Sequence, residues 1–279
     1  MCSLSIQGQT IANAWEDLTA SDFKAGVEKA GGVCLIPMGV IEKHGQHLPL
    51  GTDVFIAREI SLRAAKKEYC IVFPFYYASQ DFVATPQAGT IQYSAELLYK
   101  ILDETCREIA RNGLKKIIIV NGHGGNNFFL PYFCQTQMQT PRDYAVFWVN
   151  PAPDAETQKK ITQMRKTTTG GHADEMESSM MMAIAPDLVK IDRATRESGA
   201  NQKLLPFGEL MGLRWYAQYP NHYAGDAKDA NAALGELDLE SASTELAKLI
   251  KAVKVDQATL NLQNEFFQLM QSPLDTKAR

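Results

Sequence analysis

The chain has little of what marks a secreted, membrane-bound or nucleic-acid-binding protein. Its 28 Lys and Arg are balanced by 32 Asp and Glu, a formal net charge of −4, so no basic surplus exists to hold a phosphate backbone. No apolar run approaches the roughly 18–20 residues of a membrane span, and no polybasic cluster marks a lipid surface. Cysteine is scarce: Cys2, Cys34, Cys70, Cys106 and Cys134 are odd in number, scattered and without a CxxC pair. That pattern predicts reduced thiols rather than a disulfide framework. The first residues lack both a basic start and an apolar core, so no secretory signal is expected. There is no internal repeat and no low-complexity segment. These absences predict a cytoplasmic globular protein with neither nucleic-acid nor membrane partners.

Of the 279 residues, 45% are apolar, enough to bury roughly three-quarters of the unfolded surface. No linker interrupts the chain, so residues 1–279 read as one domain. Short apolar runs at 32–39 (GVCLIPMG), 70–78 (CIVFPFYYA), 115–120 (KKIIIV) and 144–149 (YAVFWV) predict strands. Between them lie helical patterns. One is capped by Thr52 or Asp53 and runs to about Lys67, one is capped by Ser94 and stopped at Gly113, and one follows Asn127. Residues 234–253 read as a surface helix. Near-continuous apolar strands alternating with helices predict an α/β fold with a parallel sheet covered on both faces. Ligands bind such sheets at the carboxyl ends of the strands.

Histidine is also scarce, at five residues, yet four of them fall in three Gly-flanked loops. IEKHGQHLPLGTD (41–53) follows the first strand. Glu42 and His44 at i and i+2 share a side of an extended segment. Asp53, at a helix start, could turn back to the same point or simply cap the helix. His47 is better suited to a supporting hydrogen bond than to metal ligation. VNGHGG follows the third strand and fixes His123 beside two glycines that permit close approach. It is neither a GxGxxG fingerprint nor a phosphate loop with its lysine. GGHADEMESSMMM (170–182) adds His172, with Asp174 and Glu177 at i, i+3 on one helix face; either acid could reach a metal, and acids also favour a helix first turn for dipole reasons. The methionines there read as core filler. A mixed imidazole and carboxylate set suits Zn²⁺, Mn²⁺ or Fe²⁺.

Four segments together resemble the creatininase (creatinine amidohydrolase) family: VCLIPMGVIEKHGQHLPLGTD, TPQAGTIQYS, GLKKIIIVNGHGGNN and GGHADEMESSMMMAIAPDLV. The resemblance implies a three-layer α/β/α sandwich with a mostly parallel sheet, a metal-dependent amidohydrolase, a small-molecule substrate and a homohexamer. It maps Glu42, His44, Asp53 and His123 onto metal ligands, with Asp53 bridging where two metals bind. His172 maps onto a proton donor near the substrate. Creatininase itself has a Glu where this chain has Gly125, so Glu177 is the alternative ligand or a catalytic base, creatinine is disfavoured as substrate, and one or two metals remain possible. Gly124, Asn126, Trp215, His222 and Tyr223 are the expected substrate contacts; the aromatics of 204–227 would otherwise pack a long loop onto the body. The implied chemistry is attack of a metal-activated water on the carbonyl of a small cyclic amide or formamide. The alternatives are hydrolytic ring opening of a cyclic ketone such as a keto-cyclitol, or a non-catalytic role in metal binding or peptide maturation.

Overall fold

The computed structural model describes residues 11–197, 199–207 and 211–275; Cys2 lies outside them. Four parallel strands, β1 (Val33–Met38), β2 (Ile71–Val72), β3 (Lys116–Asn121) and β4 (Ala145–Val149), form one sheet in the order β2-β1-β3-β4. Helices α1 (Ala20–Lys29), α2 (Thr52–Lys67), α3 (Ala95–Arg111), α4 (Asn126–Thr136), α5 (Ala155–Met164), α6 (Glu175–Ile184), α7 (Arg214–Gln218), α8 (Ala232–Val255) and α9 (Ala258–Met270) complete the regular structure. No helix among the described residues is long and apolar enough to cross a membrane.

The period of two along each strand divides the core. Val33, Leu35, Ile118 and Val120 face one layer, where Ile56 and Ile60 of α2, Met181 of α6 and Leu239, Leu246 and Ile250 of α8 pack. Cys34, Ile36, Met38, Ile117 and Ile119 face the other, with Leu102, Cys106 and Ile109 of α3 and Leu130 and Phe133 of α4. The result is a three-layer α/β/α sandwich, and both strand faces are apolar because both are covered.

Three expectations need correcting. The strand expected over 70–78 pairs in the ladder only at Ile71 and Val72. Pro37 in β1 has no N–H to give the Phe73 carbonyl, which accepts from Arg58 Nη1 instead, and Pro74 ends the run. Residues 234–253 lie on a helix that is not superficial, since Leu234, Leu239, Ala242, Leu246 and Ile250 are buried. Neither Thr52 nor Asp53 caps α2: Gly51 holds the N-cap position without a side-chain bond. Thr52 Oγ1 donates to the Pro49 carbonyl at 2.7 Å, and Asp53 is used elsewhere. Ser94 and Gly113 behave as expected, the first accepting from Leu97 N–H and the second adopting φ +94°.

Asp238 on α8 is a strained acid outside the site. Burial alone pushes its carboxyl from 3.8 to about 6. The folded state therefore holds a proton that the unfolded chain releases, and stability falls as pH rises from about 4 to above 6. Asp238→Asn is expected to stabilise the protein by about 1–2 kcal/mol at pH 8, discounted from the ~1.4 kcal/mol per pKa unit because the side chain keeps partial contact with water. At pH 4 the gain should vanish. Equal urea midpoints for the two proteins at pH 8 would refute this.

Candidate metal centre

The site forms where β1 and β3 end and α2 begins. Two glycines let these backbones close on each other. A Cβ at Gly39 would lie 2.6 Å from Val54 N, and one at Gly122 would lie 2.6 Å from the Asp53 carbonyl oxygen. The first turn of α2 is therefore wedged between the strand ends, which carries Asp53 inward. Gly122→Ala is expected to displace that turn and weaken metal binding about 10–100-fold, the usual cost of disturbing a ligand's support; a metal titration with unchanged affinity would count against this placement.

Acids and imidazoles alternate in a row across the site. His44 Nε2 is 3.0 Å from Asp53 Oδ1 and 3.7 Å from Glu177 Oε2. His123 Nδ1 is 3.1 Å from Asp53 Oδ2 and 2.9 Å from Glu42 Oε1. Glu42 Oε2 contacts His222 Nε2. Asp53 thus splits its two oxygens between two histidines, and Glu42 does the same. His44 and Glu42 are fully buried, and Asp53 and His222 are 2% exposed.

The charge state follows from this crowding. Burial would lower the His44 imidazole, but the Asp53 carboxylate, then Glu177, lift it to about 10. Burial likewise opposes, and the Glu42 and Asp53 carboxylates override, in raising His123 well above its ordinary range. Burial would raise Glu42, whereas His123 and then His172 pull it well below the carboxylate range. Among the described residues no Lys or Arg pairs with Glu42, Asp53, Glu177 or Asp81. Glu42 Oε1 and Asp53 Oδ2 are buried with the single His123 Nδ1 between them; one N–H cannot satisfy both carboxylates, which is costly unless a further cation compensates.

The residues present fit divalent cations. Two donors bound to one ion at about 2.0–2.2 Å and near right angles lie about 3 Å apart, which is the spacing found around Asp53. Ligand atoms of Glu42, Asp53 and His123 fall within 4.8 Å of one another, as do those of His44, Asp53 and Glu177. Hard carboxylates with imidazole suit Zn²⁺, Mn²⁺ or Fe²⁺. Gly125 bears on the second set: a Cβ there would lie 2.5 Å from His123 Nε2. The imidazole orientation seen here requires a glycine at 125, and an acid arrives instead from α6.

The third segment divides by role. Asp174 caps α6, accepting from Met176 and Glu177 N–H at 2.9 and 3.1 Å, so of the two acids only Glu177 turns to the centre. Burial pushes Glu177 up to about 8, and it also accepts the Ala173 N–H. His172 Nε2 is 2.8 Å from the Lys43 carbonyl, an acceptor that makes this nitrogen the N–H. Burial lowers its pKa to about 3, so the ring is neutral with a lone pair on Nδ1. His47 Nε2 lies 3.1 Å from the Ala173 carbonyl and 3.0 Å from Ser178 Oγ, holding the first and third segments together.

Not every expected residue converges. Trp215 stands at the rim, its ring 5.9 Å from His172 and 6.2 Å from His222. Gly124 is exposed in the turn just before α4. The Asn126 amide donates to Ser79 Oγ and Asn121 Oδ1, each at 3.0 Å, tying the loops together. Tyr223 departs from expectation: it is buried in the core beside His47, with its hydroxyl accepting the Ala227 N–H at 3.1 Å. His222 lies deeper than a substrate wall, on Glu42 itself. Asp81 was not foreseen. Its loop, ASQDF, carries no metal-like spacing, and the one available signal is an acid in an irregular stretch after a strand.

Comparison with known proteins places the chain in a family. The family profile described as creatininase, creatinine amidohydrolase, matches residues 16–250. A creatinine amidohydrolase of Pseudomonas putida is 26% identical over 191 residues, covering 63% of this chain and 74% of its own. A 3-dehydro-scyllo-inosose hydrolase of Thermotoga maritima is 25% identical over 244 residues, covering 78% and 76%. A manganese creatininase structure superposes with a TM-score of 0.72 at 23% identity, covering 88% of this chain and all of its own. The chain belongs to the creatininase family of hydrolases.

Proposed function

We propose that the protein is a metal-dependent hydrolase whose binuclear centre is held by Glu42, Asp53 and His123 on one side and by His44, Asp53 and Glu177 on the other. The observation that carries this is the split of the Asp53 carboxylate, one oxygen towards each histidine. A divalent cation supplies Lewis acidity, polarising a carbonyl and lowering the pKa of water from 15.7 towards about 7. His172 serves as base before it serves as acid: its neutral Nδ1 accepts the proton of the attacking water and returns it to the leaving atom. The Lys43 carbonyl fixes the ring tautomer for that exchange. Glu177 is a ligand in this reading, and Trp215 bounds the substrate pocket.

The substrate is a small neutral polar molecule, because the centre is rich in carboxylates and no Lys or Arg pairs with them among the described residues. A cyclic amide or formamide, cleaved at its C–N bond, is the leading class. A cyclic ketone opened at a C–C bond is the second, favoured by a relative named for an inosose that matches over 78% of this chain. A homo-oligomer, with a hexamer as the family expectation, belongs to the same proposal and would show as a solution mass several times 30.9 kDa.

Metal analysis tests the centre. In protein purified without added metal, two ions per chain are expected in the wild type and one in Glu177→Gln. His172→Ala should keep both ions yet lose about 10²–10⁴-fold in rate, scored by amine release from cyclic amides against acid formation from cyclic ketones. Loss of metal in His172→Ala would overturn the division of roles.

A further inference from the structure

The row of acids and imidazoles does not end at the two positions assigned above. Glu42 places Oε1 against His123 and Oε2 against His222, repeating what Asp53 does between His44 and His123. Beyond His222 stands Asp81, 1% exposed, with neither carboxylate oxygen hydrogen-bonded. Its backbone N–H is held by Gln92 Oε1 at 2.5 Å, which fixes the residue while leaving its carboxylate free. Ligand atoms of Glu42, Asp81 and His222 all lie within 4.8 Å of one another.

The backbone supports a fixed role for His222. Among the described residues it is one of three non-glycine residues with positive φ, at 53°, a conformation that costs energy and persists where the surroundings impose it. Here the His222 N–H donates to the Tyr219 carbonyl at 2.9 Å and its own carbonyl accepts from Gly45 at 3.3 Å. This turn delivers the imidazole to Glu42.

We propose that Glu42 Oε2, His222 and Asp81 form a third divalent-cation position, sharing Glu42 with its neighbour as the first two positions share Asp53. Two carboxylates and one imidazole match the donor chemistry of the other positions. A cation there would give the buried Asp81 carboxyl oxygens the partner they otherwise lack. The inference rests on the two-ion reading and extends it: Glu42 becomes a bridging ligand, and the centre becomes a line of three ions.

Equilibrium dialysis of the full chain against Mn²⁺ alone, followed by elemental analysis, decides this. Close to three ions per chain are expected in the wild type at saturation, and two in both Asp81→Asn and His222→Gln. Asp81→Asn preserves shape and carries the test should His222→Gln fail to fold. A wild type that saturates at two, with two retained in Asp81→Asn, overturns the third position and leaves the binuclear centre standing. Two falling to one would place Asp81 inside that centre, also overturning the proposal, as would three ions unaffected by either change. No bound metal in the wild type would remove the proposed function itself.

Discussion

Removing divalent metal with a chelator is expected to lower the melting temperature by about 8–16 °C. A ligand present at 1,000 times its Kd stabilises the folded state by about 4 kcal/mol. For a chain of this size each kcal/mol moves the transition by about 2–4 °C. The site makes the effect large because Glu42, Asp53 and His44 are no more than 2% exposed and, among the described residues, no Lys or Arg takes over the charge. Calorimetry with and without chelator, followed by metal add-back, reads the shift. A transition that ignores both treatments would mean that the histidines alone neutralise the acids.

Asp53→Asn should be the most damaging single substitution that leaves the fold intact. The amide keeps the shape but cannot offer a charged oxygen to each of two histidines. Both ions are expected to be lost, whereas Glu177→Gln should lose one. With several kcal/mol of transition-state stabilisation gone, the rate should fall by about 10³-fold or more, at 1.36 kcal/mol per decade. The chelator should then leave the variant's melting temperature unchanged, which separates loss of metal from loss of folding. Retention of two ions in Asp53→Asn would exclude it as the bridge.

The strongest elements were legible because they are set by local pattern. Ile117 to Val120 could only be a covered strand, and α3 carries its own Ser94 cap and Gly113 stop. The motif loops were legible for a related reason: histidines beside glycines at the ends of apolar runs have few structural uses. The misreadings share a cause. The shortness of β2 depends on a proline in its neighbour, Pro37, and on where the Phe73 carbonyl finds a donor. The buried face of α8 depends on α2 and α6 lying under it. Tyr223 and His222 are adjacent, and the positive φ at 222 sends one into the core and the other to Glu42.

By itself the sequence determined the parallel α/β fold, the loops after β1 and β3 that carry Glu42, His44 and His123, the separate Gly-flanked segment that carries His172, and the family. The sheet and the loops follow from periodicity and spacing along the chain, whereas the family and the ligand roles rest on the resemblance of four segments to known motifs. Only the tertiary structure decided that Asp53 leaves the helix cap, that Glu177 rather than Asp174 turns to the centre, and that Asp81 and His222 stand beside Glu42. These outcomes are contacts between segments 40 to 180 residues apart, fixed by how closely Gly39, Gly122 and Gly125 let the backbones and rings approach.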